Sequence, residues 1–292
     1  MASPFRVWAV SRSFSRANPI RLWMSANSDI ELPRPFYKEW FGGRRSAAQA
    51  LWHWHSSLVD PAVPSGAHVD SFFDEERARA EEGEPLRVMP EETWSAAYEA
   101  CGQYDLPFEW LGAQVEAARL FCGEIRFESA QELDPFVRLW AAPHARLLAH
   151  LAEITNSVQM SWVDELARGF FHLSHLVTLP ADLARGHLFV PLEEVRQYNV
   201  AVDQLRTGPA TEAVQRLLWK QSVRIRDALQ RGRSLAGDLW FRQRYALRWY
   251  WHGSLALLEE LDRRDFDLWS RSVGLSRFRR MEVYLHVVFG RT

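Results

Sequence analysis

The residue types that bind metals or move protons are spread thinly along this 292-residue chain. His53 and His55 flank Trp54, and His172 and His175 stand three apart, a spacing that puts both on one helix face. A zinc ion needs three or four ligands, and neither pair has a carboxylate set beside it. His144 and His150 lack the helical spacing that would pair them. These histidines read as polar tips in a core or an interface. Cys101 and Cys122 make no CxxC or Cys/His pattern and read as two reduced thiols. Gly42-Gly43-Arg44-Arg45 has neither the Lys nor the glycine spacing of a phosphate loop. The charges from Asp74 to Glu84 read as a solvated helix face. Arg242, Arg244 and Arg248 interleave with Trp240, Trp249 and Trp251. That cluster suits helix packing with exposed Arg; it also suits a lipid head group or partner carboxylates.

Whole-chain quantities narrow the classes. Apolar residues make up 47% and charged residues 25%, an ordinary globular balance. The net charge of −2 gives no argument for nucleic acid. No apolar run reaches the roughly 18 residues a transmembrane helix needs. Fourteen tryptophans bring large contact areas suited to cores and interfaces. All basic residues except Lys38 and Lys220 are arginine. Residues 1–28 hold Arg6, Arg12, Arg16 and Arg21, six serines and no acid before Asp29. That composition is transit-like and predicts a mitochondrial location, matrix or inner-membrane-associated; a basic bacterial arm would share it.

The elements that must position any site read as helices throughout. Residues 1–43, with Pro4, Pro19, Pro33, Pro35 and Gly42-Gly43, read as an extended basic arm, and 44–292 as one helical domain. Helices are expected over Arg44–Val59, Val69–Glu82, Pro90–Tyr104 and Pro107–Phe121. The next begins at Ser129, where Ser129-x-x-Glu132 resembles a capping box, and runs to about Ile154. Further helices are expected over Ser161–Val177, Leu192–Tyr198, Thr211–Gln230, Leu239–Leu261 and Leu275–Phe289. Pro180 to Pro191 reads as a loop. In the Thr211 helix, Val214, Leu217, Leu218, Val223 and Leu229 fall mostly on one face. Strand signals are nearly absent, and the fold class is all-α.

Three segments together resemble the squalene/phytoene synthase family. Phe127 to Leu151, with Ala141-Ala142-Pro143-His144-Ala145-Arg146-Leu147 at its centre, is similar to the family run A-x-P-V-G-R-L that lines a prenyl tunnel. Leu183-Ala184-Arg185-Gly186-His187-Leu188-Phe189-Val190-Pro191 resembles its R-R-G-R-x-Y-L-P exit. Leu258 to Leu268, ending Phe266-Asp267-Leu268, resembles its late F-D-V. The likeness covers about residues 45–290 and implies an isoprenoid-synthase-like helical bundle. Working members ionise an allylic diphosphate with Mg²⁺ held by two aspartate-rich helix segments.

Both aspartate motifs depart from that pattern. Where the family has D-D-x-x-D stands Val59-Asp60-Pro61-Ala62-Val63, and where it has D-x-x-E-D stands Thr178-Leu179-Pro180-Ala181-Asp182. Each keeps one acid, Asp60 or Asp182, and gains a Pro. One carboxylate per motif cannot hold a trinuclear Mg²⁺ cluster, so the two read as remnants with structural roles such as helix capping. No catalytic residue, metal or cofactor is expected; Mg²⁺ belongs only to the alternative of an active head-to-head prenyl diphosphate synthase. His144, Arg146, Arg185, Arg242 and Arg248 are the candidate ligand or partner contacts. Trp52, Trp54 and Phe171 stand near places where the family keeps smaller or polar groups, which favours a filled tunnel. Mitochondrial relatives of this kind include a complex I assembly factor. The resemblance therefore implies an accessory subunit or assembly factor whose partners are respiratory-complex subunits. A bound lipid, or a lipid- or quinone-binding module, is the further alternative.

Overall fold

The computed structural model describes residue 40, residues 42–58, four positions between 75 and 82, and residues 91–289. Twelve helices are set out among them: α1 (Gly42–Ser57), α2 (Glu91–Gln103), α3 (Glu109–Ala118), α4 (Ala130–Leu151), α5 (Ser157–Val177), α6 (Leu179–Ala184), α7 (Leu192–Gln197), α8 (Val202–Thr207), α9 (Glu212–Gly232), α10 (Leu235–Asp238), α11 (Phe241–Arg263) and α12 (Arg277–Phe289). A 3-10 turn, Arg119–Cys122, follows α3. β1 (Ile125–Arg126) and β2 (His187–Leu188) form a short parallel pair, with Ile125 opposite His187 and Arg126 opposite Leu188.

Local chemistry sets some helix ends. α5 starts a turn earlier than Ser161, because the Asn156 carboxamide oxygen accepts from Val158 N at 2.8 Å. Thr211 caps α9 through Val214 N at 3.4 Å. The capping box expected at Ser129 does not form. Ser129 is the N-cap residue but makes no side-chain cap bond, and Glu132 reaches past it to Glu128 N at 2.8 Å. The segment expected as a loop from Pro180 to Pro191 instead holds α6 and β2. Pro180 sits in the first turn of α6, where its missing N–H costs nothing. α8 and α10 carry no strong signal in the sequence, being only 6 and 4 residues long. The helix expected over Val69–Glu82 falls largely outside the described residues.

The core is built around α5, with α4 on one side and α9 on the other; α1 and α3 pack on α4, and α2 on α1. The buried face of α9 is Val214, Leu217, Leu218, Ile225 and Leu229; Val223 is only half-buried, with Ile225 in the place expected of it. Two glycines let α5 and α9 approach closely. A Cβ at Gly232 would overlap Leu166 and sit 2.7 Å from Trp162 O, and one at Gly169 would lie 2.9 Å from Leu229 Cδ2. α11 and α12 form an antiparallel hairpin against the body. Trp40, on the arm side of the boundary expected at 43, is buried in the core, and Gly42 already opens α1.

Candidate functional site

Asp182 lies in the first turn of α6 and is 2% exposed. The backbone reaches it through a junction: Thr178 ends α5 and precedes α6. The five positions Thr178 to Asp182, read from the sequence as the counterpart of the second aspartate motif, therefore straddle two helices. Three side chains close on the carboxylate. His175 Nδ1 lies 2.8 Å from Oδ2, Thr178 Oγ1 donates to the same oxygen at 2.6 Å, and the Arg185 guanidinium pairs with Oδ1. Burial opposes ionisation of Asp182. His175, the Thr178 hydroxyl and Arg185 outweigh it and hold the carboxyl below its ordinary range. The arrangement is a buried anion satisfied by its own neighbours.

From this anion a string of contacting rings runs into the core. His175 packs on Phe189 with centroids 3.9 Å apart, and Phe189 stacks on Phe136 at 5.8 Å. Phe136 meets Phe121 at 5.5 Å, Phe121 meets Trp140 at 4.9 Å, and Trp140 meets His55 at 4.2 Å. His55 then stacks on His144 at 4.2 Å, and His144 touches the edge of Trp52 at 5.7 Å. Phe171 joins the string through Phe136 and His175.

Burial keeps His55 and His144 neutral. His55 Nδ1 meets Gln114 Oε1 at 2.8 Å, and the Gln114 amide nitrogen donates to Trp110 O, so Nδ1 of His55 carries the proton. Burial pushes His55 down to about 4, against the smaller raising effect of Gln114. Burial and then His55 hold His144 well below its ordinary value.

The string ends at an apolar cavity of about 110 Å³. Trp40, Trp52, His144, Phe170, Leu247 and Tyr250 are among its walls. Drug-sized ligand sites run from about 300 Å³ upward, so the cavity as it stands is below the size of a C15 chain. Gln243 Oε1 is buried in its wall with no hydrogen-bond partner among the described residues. The rings thus pack the space between Asp182 and this chamber. Trp52 lines the chamber, while Trp54 is fully buried against Tyr98 at 5.9 Å.

The remaining expected residues disperse. Asp60 lies outside the described residues. Arg146 forms a two-pronged pair with Asp164, Nε to Oδ1 at 2.7 Å and Nη2 to Oδ2 at 2.5 Å, tying α4 to α5. Arg185 serves Asp182. Arg242 stands half-exposed in the first turn of α11, and Arg248 donates to His286 O on α12 at 3.3 Å. These four arginines, with His144 in the core, do not converge on one site. His53 is exposed while His55 is buried, so that pair does not meet; among the described residues no group of three or more His, Cys, Asp and Glu could hold a metal. Burial, with His175, Arg168 and Arg224 nearby, brings His172 down to about 3. Cys101 is a free, buried thiol, pushed up to about 12 by burial. Trp251 donates to Leu229 O at 2.9 Å and Trp249 packs on Tyr284, so both are packing residues, whereas Trp240 is exposed. Sequence reasoning missed the link between His175 and Asp182. They are seven residues apart; on one straight helix that spacing shares a face but leaves about 10.5 Å between the residues, so no contact is expected until the junction at Thr178 folds Asp182 back. It also missed Glu194, a buried acid paired with Arg224 and bonded by Gln221 at 2.6 Å.

The squalene/phytoene synthase family model matches residues 45–279, and the chain belongs to that family. Among solved structures it is similar to the squalene synthase HpnC from Alicyclobacillus acidocaldarius, at 21% identity and a TM-score of 0.65, covering 77% of this chain and 84% of that one. It is also similar to a dehydrosqualene synthase solved with a ligand, at 13% identity and a TM-score of 0.70, covering 87% and 89%. At these identities the likeness shows the isoprenoid-synthase-like helical fold. No curated protein matched the chain.

Proposed function

We propose that this chain is a non-catalytic member of its family, acting through protein contacts as an accessory subunit or assembly factor of a mitochondrial respiratory complex, complex I foremost. One observation carries the non-catalytic part: both oxygens of Asp182 are occupied by His175, Thr178 and Arg185. Family chemistry needs Mg²⁺ on several carboxylates at this motif, because departing diphosphate charge must be stabilised. Thr178 and Ala181 stand where two of those acids would be, so the donor set does not fit the metal. No Mg²⁺-dependent step follows from these residues. The ring string adds support, since it fills the route from the motif to the apolar chamber. The mitochondrial part rests on the Arg- and Ser-rich, acid-free residues 1–28.

Incubation of the purified full chain with farnesyl diphosphate and Mg²⁺ should give no coupled product. Product formation abolished by Asp182→Ala would establish the alternative, a head-to-head prenyl diphosphate synthase, which the family itself favours. Native fractionation of mitochondria should find the chain with respiratory subunits; migration only as a free monomer would defeat the accessory role. A lipid- or quinone-binding module is the third reading, favoured by the chamber, and native mass spectrometry with no bound lipid counts against it.

A further inference from the structure

The last helix carries two apolar faces where a bundle helix needs one. Val283 and Val287 of α12 are buried. Phe278, Met281, Tyr284, Leu285, Val288 and Phe289 are exposed, Phe278 at 90% and Phe289 at 76%. At 3.6 residues per turn these exposed side chains fall within an arc of about 140°, opposite the two valines. No acid lies in that arc. A solvated helix face would be polar there.

The neighbouring helix extends the patch. Arg279 pairs with Glu259 and Arg248 reaches His286 O, so α11 runs antiparallel to α12. The N-terminal end of α11 therefore continues past the C-terminal end of α12. It brings Trp240 and Phe241, 70% and 79% exposed. Three guanidiniums rim these apolar groups. Arg280 bonds to Leu275 O at 3.1 Å and Arg244 to Gly237 O at 2.7 Å, and among the described residues no carboxylate pairs with either or with Arg277.

An apolar stripe edged by unneutralised arginines is complementary to a surface with an apolar interior and an anionic skin. We propose that α12, with the first turn of α11, docks on an anionic bilayer, lying in the plane of the interface. Phe278, Met281, Leu285 and Phe289 enter the acyl boundary, and Arg244, Arg277 and Arg280 meet lipid phosphates. No helix among the described residues is long and apolar enough to cross a membrane, so the contact is interfacial. A protein partner could cover the stripe, but it would have to place acids opposite three separate arginines. A lipid phosphate layer meets them without matched geometry.

The test is co-sedimentation of the full chain with vesicles of phosphatidylcholine alone and of an equimolar mixture with phosphatidylglycerol. Binding to the mixed vesicles is expected, reduced about tenfold or more by combining Phe278→Ser with Leu285→Ser. Combining Arg277→Gln with Arg280→Gln should remove most of the preference for the anionic vesicles. Both comparisons hold residues 1–28 constant, so any contribution of that basic segment cancels. Circular dichroism checks folding, and Met281→Gln with Val288→Thr replaces the first pair if it misfolds. Unchanged binding in the apolar variants overturns the proposal. So does no binding by the parent chain, or loss of self-association in those variants with vesicle binding intact, which would make the face a protein interface.

Discussion

Replacing Asp182 by alanine separates a structural carboxylate from a catalytic one. The substitution removes a 2%-exposed anion and leaves His175, Thr178 and Arg185 facing a gap. Breaking a buried pair by removing one partner costs about 3–5 kcal/mol, because the other partner stays buried. Arg185 is half-exposed and can return to water, so its share is discounted. Thr178 keeps a second acceptor, Ser174 O at 2.9 Å. His175 is the group left stranded, and the net loss works out at about 3 kcal/mol. For a chain of this size that lowers the Tm by roughly 6 °C. Urea denaturation with Tm measurement is the assay. Asp182→Asn, which keeps the volume and one acceptor, should lose about 2 kcal/mol. A double-mutant cycle with His175→Ala should show coupling of at least about 1 kcal/mol. The sign with pH follows from a folded pKa below the unfolded 3.8. The stabilisation is complete above that unfolded value and is lost as pH falls through the folded one, so parent and variant should converge in strong acid. An Asp182→Ala chain that melts within about 1 °C of the parent would refute the structural role and leave the carboxylate available for a ligand.

Three further outcomes follow from the same packing. His55 has a folded pKa of about 4 against 6.5 unfolded, so the unfolded state binds the extra proton between those values and stability falls as pH is lowered through them. From neutrality to about pH 5 the loss from His55 is about 2 kcal/mol, and His55→Phe should flatten the pH dependence of the urea midpoint by that amount. Gly232→Ala should destabilise by roughly 2 kcal/mol, since the new methyl meets Leu166 and Trp162 O. Gly112→Ala, exposed on α3 with nothing within 4 Å, should stabilise by about 0.5–1 kcal/mol, and equal effects at the two sites in thermal melts would contradict the close approach of α5 and α9. Gln243→Leu removes a buried, unbonded carbonyl oxygen from the wall of the chamber and should be neutral or stabilising by about 1 kcal/mol; a clear loss in urea titration would show that the amide is satisfied there.

Much of the chain's organisation is local and was legible in the residues. The all-α class, the order of the family-like segments and most helix bounds follow from apolar period and from Pro, Gly and capping residues, which act over a few positions. The departures came where a local signal had a distant competitor. Ser129 and Glu132 have the capping-box spacing, yet the box does not close. Pro180 reads as a loop signal but opens α6, because the first turn of a helix tolerates it. That Thr178 and Ala181 are not acids is plain in the sequence. What the surviving Asp182 does is not, since its partners sit across a helix junction. The ring string is beyond any local reading as well, because it draws on α1, α4, α5, the 3-10 turn and the segment after β2. Likewise, the apolar residues of α12 cover more of its circumference than one packed face needs, and only packing decides that Val283 and Val287 are covered while Phe278 and Leu285 are not. Periodicity is a property of one helix and can be read along it; which groups meet is a property of pairs of helices, and that is settled only when the chain folds.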